Sequence, residues 1–376
     1  MKVIYITEQV YLYGGAEKIL IQKLNYWADI YGYDVLLITS EQRNREVCYP
    51  LSKKVSHIDL DVGYKEDVSY FKWVNLTKFP KHYKALKKAI KEFNPDAIFL
   101  ISLSWIRLVL PFLTKKPTYN EYHTSYYGFH LKLQSKSFVG KLKKKLWDLV
   151  INVVENYYTN IVFLNSEELN FYKRKNGVII PNFFERVDFI EKTEKKKQII
   201  SLGRMSYQKG YDLLIKAWAK IDNKIEGWTL QVYGDGENKE ALLKELNSYN
   251  FKNKMYLNDA IPDVNIKLAE SEFYVMSSRF ETFPMVLLEA LSHGLPIVSF
   301  DCPTGPRSIM IENEDGILAK PDDVEDLAKK MLLLITDEEL RGSMSKKAIV
   351  NINRFKPEYV MDLWDKLIKK NSKVTQ

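Results

Sequence analysis

The chain has 376 residues, enough at roughly 100–200 residues per domain for two domains with separate cores. Its two cysteines, Cys48 and Cys302, exclude a disulfide framework and a four-cysteine zinc site, and no stretch reaches the ~18 uncharged apolar residues of a membrane span. The net charge of +8 is lopsided: residues 1–190 hold 28 Lys/Arg against 19 Asp/Glu, whereas residues 191–376 hold 28 against 29.

The N-terminus opens on KVIYITE, a β-branched run typical of a buried strand. Its single Lys, short apolar run and Glu8 do not make a secretory signal, so a cytoplasmic protein is expected. QVYLYGGAE follows, then a helical pattern from Glu17 to Ile30. YDVLLIT, KVSHIDL, DAIFLIS, PTYNEYH and NIVFLN read as further strands, with helical stretches such as KHYKALKKAIKEF between most of them. This alternation predicts βαβ units and a parallel sheet with helices on both faces. The pattern breaks after VIIPNF and restarts with QIISLGR, WTLQVYG, KMYLN, FYVMSS and LPIVSFD as strands and YDLLIKAWAKI, ENKEALLKELN and PMVLLEALSHG as helices. A last helix, PEYVMDLWDKLIKK, carries Val360, Leu363, Trp364 and Leu367 at helical spacing. The reading is α/β throughout, with two doubly wound domains in series and a cleft between them. Ligands of such sheets bind beyond the carboxyl ends of the strands, which directs attention to the strand-to-helix turns.

Four turns stand out. In YGGAEK, Gly14 and Gly15 would let a ligand approach the backbone ahead of a helix start, although a plain tight turn reads as well. In GRMSYQKG, Gly203 leads Arg204 and Lys209, two cations able to clamp a diphosphate; two surface cations fit the same residues. YGDGE signals little more than a turn. In RFETFPMVLLEALSHG, Pro284 suits the first helical position, and the N–H groups of Met285 and Val286 are then open to an anion or a hydroxyl. Glu281 precedes that helix. Glu289 lies inside it among aliphatic neighbours, where an acid without a partner is costly. Ionised carboxylates accept hydrogen bonds from hydroxyl pairs, so the two acids suit a polyol. Paired carboxylates also serve glycoside hydrolysis, but a hydrolase needs no cationic diphosphate clamp.

Taken together, these residues resemble a known family. Residues 198–319 are similar to the second domain of retaining glycosyltransferases of family 4, which have the GT-B fold. The match rests on Gly203-Arg204 with Lys209-Gly210, on Glu281 and Glu289 with seven residues between them, on GLPIV and on the DCPTGPR turn. GGAE, FLNSEE at 163–168 and VIIPNF at 178–183 match the first domain. The DCPTGP variant looks most like enzymes that build bacterial polysaccharides on a polyprenyl-diphosphate carrier, galactose and N-acetylgalactosamine transferases included. The resemblance implies an acceptor-binding Rossmann-like domain over 1–183, a linker over 184–197, and a nucleotide-sugar-binding domain over 198–355 that faces the first across a cleft. A C-terminal helix over 356–371 would pack back on the first domain. It implies hexose transfer from a UDP-sugar with retention, and neither cofactor nor metal. Glu289 would hold the ribose, Glu281 the donor sugar near C3, and Arg204 and Lys209 the diphosphate. The backbone at Gly14, Gly15 and Gly203 and across Thr282, Phe283, Pro284, Met285 and Val286 would line the donor, with His123 at the anomeric centre. From the residues alone His123 reads better as a packed, satisfied histidine. Thr282 stands where the family usually has Gly, and Asn258 and Asp259 lie only near the turn expected to meet the base.

The excess of positive charge has a place in this reading. From Tyr122 to Trp147 there is no acid, while lysines accumulate. Tyr126, Tyr127, Phe129, Lys132 and Lys136 are the candidates for an acceptor or an anionic membrane surface, which would make the protein peripheral on the inner face of the cell membrane. Leu142, Leu146, Val150 and Val153 form one apolar helix face, which either docks on lipid or packs on the sheet. The rival readings are a GT-B relative with phosphorylase or epimerase chemistry, and a basic lipid- or nucleic-acid-binding protein. No nucleic-acid motif supports the last, so no nucleic-acid partner is expected.

Overall fold

The computed structural model describes residues 1–102, 104–128, 138–185 and 193–372. They form two compact units. The first takes Met1–Thr124 and the described parts of Phe129–Asn182 and Glu358–Gln376; the second takes Ser125–Gly128 and the described part of Phe183–Pro357.

Each unit is built on one parallel sheet. In the first, β1 (Lys2–Thr7), β2 (Asp34–Thr39), β3 (Val55–Asp59), β4 (Ala97–Ile101), β5 (Thr118–Tyr122), β6 (Asn160–Phe163) and β7 (Gly177–Ile179) lie in the order 3-2-1-4-5-6-7. In the second, β8 (Gln198–Leu202), β9 (Thr229–Tyr233), β10 (Met255–Asn258), β11 (Phe273–Met276), β12 (Ile297–Phe300) and β13 (Gly316–Ala319) lie in the order 10-9-8-11-12-13. Central strands such as β1, β8 and β12 are buried along almost their whole length, because helices cover both faces of a parallel sheet. Register is fixed by apolar pairing, with Val3 beside both Val35 and Ala97. The helix Phe79–Phe93 turns His82, Leu86 and Ile90 inward at four-residue spacing and stops at Asn94, which takes the left-handed conformation. The strands read from the sequence are present; β7 and β13, one edge strand of each sheet, were not read there.

The second unit begins earlier than the expected boundary. Phe183 and Phe184 are buried, and the Phe184 N–H donates to the Phe355 carbonyl. Residues 186–192 of the expected linker lie outside the described residues. The helix Pro357–Ser372 belongs to the first unit's residues. Its buried face is Val360, Met361, Trp364 and Ile368, whereas Leu363 is exposed. Trp364 packs edge-on against Trp27 and Phe99, with ring centroids 6.2 and 5.6 Å away.

The helix Phe138–Glu155 has two apolar faces. One packs inward through Trp147, 4.6 Å from the Phe71 ring, and Ile151. Below them the buried Glu155 carboxylate accepts from Tyr122, Arg107 and Arg174. The other face, Leu142, Leu146, Leu149, Val150 and Val153, is 46–59% exposed. The stripe whose placement the sequence left open is therefore on the surface. The tyrosines behave differently: Tyr126 and Tyr127 are half-buried and belong to the second unit. Phe129, Lys132 and Lys136 lie outside the described residues. Among the described residues no helix is long and apolar enough to cross a membrane.

Replacing Trp364 by Ala should cost the protein about 3–5 kcal/mol, as for a large buried aromatic. Denaturant unfolding followed by tryptophan fluorescence measures it. A loss below about 1 kcal/mol would show that the C-terminal helix is not integral to the first unit's core.

Candidate functional site

In the second sheet, β8 is followed by β9 on one side, while β11 lies on the other. The strand order reverses between β8 and β11, and the loops leaving their carboxyl ends part there, which is where open α/β sheets take ligands. The expected second-unit residues fall on these two loops. Gly203, Arg204 and Lys209 follow β8; Glu281 to Glu289 follow β11.

The loops are laced together. Gly210 takes a left-handed conformation with φ of 64°. A Cβ there would sit 2.1 Å from the Ser277 carbonyl oxygen, so no side chain fits. The Ser277 hydroxyl donates to the Lys209 carbonyl at 2.9 Å, and the Arg279 N–H donates to the Gln208 carbonyl at 2.8 Å. Arg279 also forms a fork with Asp212, at 2.9 and 2.7 Å, and lies 4.3 Å over the Tyr207 ring.

Glu281 is the focus of this lacing. Its buried carboxylate accepts from Lys209 Nζ at 2.6 Å, from the Ser278 hydroxyl at 2.7 Å and from Gln208 Nε2 at 3.3 Å. Its backbone is clasped by the turn after β12: the Glu281 N–H donates to the Pro303 carbonyl, and the Thr304 hydroxyl donates to the Glu281 carbonyl. Thr304 has a φ of 56° and Gly305 one of 98°, and a Cβ on Gly305 would meet Pro284 Cδ at 2.7 Å. The DCPTGPR turn thus has a physical role, which is to fix Glu281. Gln208, Ser278 and Thr304 were not singled out in the sequence, and only their nearness to Lys209, Glu281 and the Pro-Gly turn pointed to them. Arg204 is different. Its side chain is exposed, and it has no hydrogen-bond or ion-pair partner among the described residues.

Thr282 occupies the position where glycine is usual without a positive φ, so its backbone does not require glycine. Phe283 buries its ring against Phe355, with centroids 5.8 Å apart. Pro284 is the cap of the helix Met285–Ser292, one position before the expected one. Met285 and Val286 therefore open the helix, where the first N–H groups lack partners within it. Glu289 lies on that helix and is half-buried. Asn258 and Asp259 are engaged elsewhere: Asn258 donates to Gln231 at 2.9 Å, and Asp259 pairs with Lys239.

In the first unit, Gly14 caps the helix Gly15–Asp29 in extended backbone. His123 follows β5, and its Nε2 lies 3.1 Å from Glu121 Oε2. The first sheet's own switch point, between β1 and β4, holds a feature the sequence did not reveal: the Ser102 hydroxyl donates to Glu8 and lies 2.7 Å from the Ser104 hydroxyl. Among the described residues no three His, Cys, Asp and Glu side chains converge as a metal site requires.

Comparison with known proteins agrees with this geometry. Residues 183–350 match the family model described as glycosyl transferases group 1. The amylovoran biosynthesis glycosyltransferase AmsD of Erwinia amylovora is 26% identical, over 98% of this chain and 99% of that one. An α-1,4-N-acetyl-D-galactosaminyltransferase of Campylobacter jejuni, named for an undecaprenol-diphosphate-linked glycan, is 24% identical over 94% and 95%. Among solved structures, Staphylococcus aureus TarM in complex with fondaparinux, alpha-GlcNAc-glycerol and UDP superposes with a TM-score of 0.75. It is 15% identical and covers 98% of this chain and 100% of that one. The resemblance read from the sequence stands at the level of a glycosyltransferase with the GT-B fold.

Lys209→Met should destabilise the protein by about 1–3 kcal/mol, the cost of a buried acceptor that loses its cation. Arg204→Ala should stay within about 0.5 kcal/mol of the wild type. Denaturant titration of both variants measures this; equal losses would show that the two cations are not partitioned as described.

Proposed function

We propose that this glycosyltransferase moves a hexose of galactose, N-acetylgalactosamine or glucose type from a UDP-sugar to a hydroxyl of a lipid-linked or polysaccharide acceptor. The reaction retains the anomeric configuration and serves bacterial surface glycan synthesis. The observation that carries the reading is one switch point flanked by an arginine whose side chain has no partner among the described residues, a fixed Lys209–Glu281 pair and a helix start. Support comes from the UDP in the TarM complex, and from the polymer and the lipid-linked glycan for which the two relatives are named.

In this reading Arg204 meets the diphosphate with a guanidinium that has no other partner among the described residues, and the helix start at Met285 and Val286 adds partial positive charge. Both are carried on loops set before the reaction, so they stabilise the charge that develops as the bond from the anomeric carbon to the diphosphate oxygen breaks. The acceptor oxygen bonds to that carbon on the same face, and its proton passes to the departing diphosphate. Arg204 and the helix start thereby take the part a metal plays elsewhere. Glu281 already accepts from Lys209, Ser278 and Gln208 and presents its remaining lone-pair capacity to a sugar hydroxyl. Glu289 accepts from the ribose.

The acceptor's lipid carrier gives the helix Phe138–Glu155 a partner. Fully burying one leucine or valine is worth about 1.5–3 kcal/mol, so five aliphatic side chains left in water on one stripe call for a partner. Lys141, Lys143 and Lys145 are exposed on the same helix, and each adds about 1 kcal/mol near an anionic bilayer. The protein then lies on the inner face of the cell membrane through this stripe.

Arg204→Ala should lower turnover of a UDP-sugar about a hundred- to a thousandfold, the usual loss for one preorganised group at a developing charge, with folding intact. Undiminished turnover would remove Arg204 from the chemistry. Vesicles containing phosphatidylglycerol should bind the wild type more tightly than neutral vesicles do, and less tightly as salt rises. A variant with Leu142, Leu146 and Leu149 changed to Ser should lose that binding. Equal binding to neutral vesicles, or full binding by the triple variant, would contradict the membrane face.

A further inference from the structure

The first unit contains a charge cluster that the proposed chemistry does not use. Glu121 and Lys23 are each 2% exposed. Lys23 Nζ, from the helix Gly15–Asp29, donates to both carboxylate oxygens of Glu121 at 2.6 Å. The Tyr5 hydroxyl, from β1, donates to Oε1 at 2.7 Å. Lys23 also lies 4.3 Å over the Trp364 ring and 4.8 Å over the Tyr5 ring. Among the described residues the carboxylate's remaining contact is His123 Nε2, 3.1 Å from Oε2.

For stability alone this cluster is a poor investment of polar groups. A buried ion pair roughly balances its own desolvation, and apolar residues of similar volume often replace it without loss. What it does supply is a carboxylate kept ionised in the core. Burial pushes the Glu121 carboxyl up, but the Lys23 charge and the hydrogen bond from His123 outweigh it and bring the group down to about 2. An ionised carboxylate accepts only. The nitrogen facing Glu121 must then carry a proton. With one proton on the ring, Nδ1 is left as an acceptor, and it has no partner among the described residues. The His123 side chain is 8% exposed and lies just past the carboxyl end of β5, the edge where such sheets bind ligands.

We propose that Glu121, locked by Lys23 and Tyr5, is a positioning residue that holds His123 as the Nε2–H tautomer and presents Nδ1 as a hydrogen-bond acceptor for a sugar hydroxyl. The identity of the hydroxyl as a sugar's rests on the transferase reading; the tautomer does not. Its structural content is a choice between two rings of the same shape. With the proton on Nδ1 the histidine would donate to the ligand instead, and a hydroxyl would have to turn its lone pair toward it. The ring is thereby tuned from three elements, by a helix residue, a residue of β1 and a residue of β5, the strand it follows.

The test is nitrogen-15 NMR of the full-length protein labelled at its five histidines, with the His123 signals assigned by their loss in His123→Gln. Long-range nitrogen–proton correlations at neutral pH should show the proton on Nε2 alone. A proton on Nδ1, or on both nitrogens, overturns the proposal. The second arm is the triple variant Tyr5→Phe, Lys23→Met, Glu121→Leu, which removes the cluster without leaving a buried charge unpaired. When folded, it should show His123 as a mixture of tautomers; an unchanged pure Nε2–H form would show that Glu121 does not set it. If the triple variant does not fold, the wild-type spectrum still decides. A wild type with the Nε2–H form that transfers no sugar keeps this inference and loses the transferase reading.

Discussion

The ion pair between Lys209 and Glu281 is the constraint on which the second unit's site depends. It joins the loop after β8 to the loop after β11. A carboxylate at a strand end would ordinarily turn to solvent. Here it stays inward because three donors converge on it and because the turn after β12 holds its backbone from both sides. Three strand-to-helix turns are thus fixed by one residue. The neighbouring helix start and the exposed Arg204 are carried on loops that cannot drift apart without breaking the pair. Preorganisation of this kind is what a transfer reaction with a departing diphosphate requires, since charge appears suddenly and there is no time for groups to assemble around it.

The first unit solves a similar problem inside its core. Glu155 gathers Arg107, Arg174 and Tyr122, and Glu121 gathers Lys23, Tyr5 and His123. Both carboxylates are buried and both are fully engaged, so neither is left as an unpaired charge, which would cost several kcal/mol. The difference lies in reach. Glu155 is closed on residues of the core, whereas Glu121 ends on a histidine at the sheet's carboxyl edge.

Much of this was legible in the sequence, for identifiable reasons. Buried parallel strands are continuous apolar runs, so IISL, AIFLI and IVSF could be read directly. β7 and β13 were not, because β7 is only three residues long and both open on Gly, which ordinarily signals a turn. The turn residues Arg204, Lys209, Glu281 and Glu289 were visible because charge is unexpected beside Gly and Pro or among aliphatics. That Lys209 would face Glu281, rather than stand beside Arg204 as a second free cation, was not visible, since the two lie 72 residues apart and only the sheet order brings their loops together. The aliphatic stripe from Leu142 to Val153 shows the limit of periodicity. A 3.6-residue repeat reveals an apolar face but not what it faces, and Trp147 and Ile151 on the opposite side took the core position. The lysine pair of the core was hidden for the same reason: Lys23 sits in a helix like any surface lysine, and only Glu121 and the Trp364 ring explain its burial.

The central claim is that a uridine nucleotide binds at the switch point of the second sheet with its ribose on Glu289. Calorimetric titration of the wild type and of Glu289→Ala with UDP, without added metal, tests it most directly. The account predicts saturable binding by the wild type. It also predicts affinity about ten- to a hundredfold weaker in the variant, the worth of hydrogen bonds to one charged acceptor. Equal affinity in the two proteins, or no binding of UDP by well-folded wild type, would contradict it.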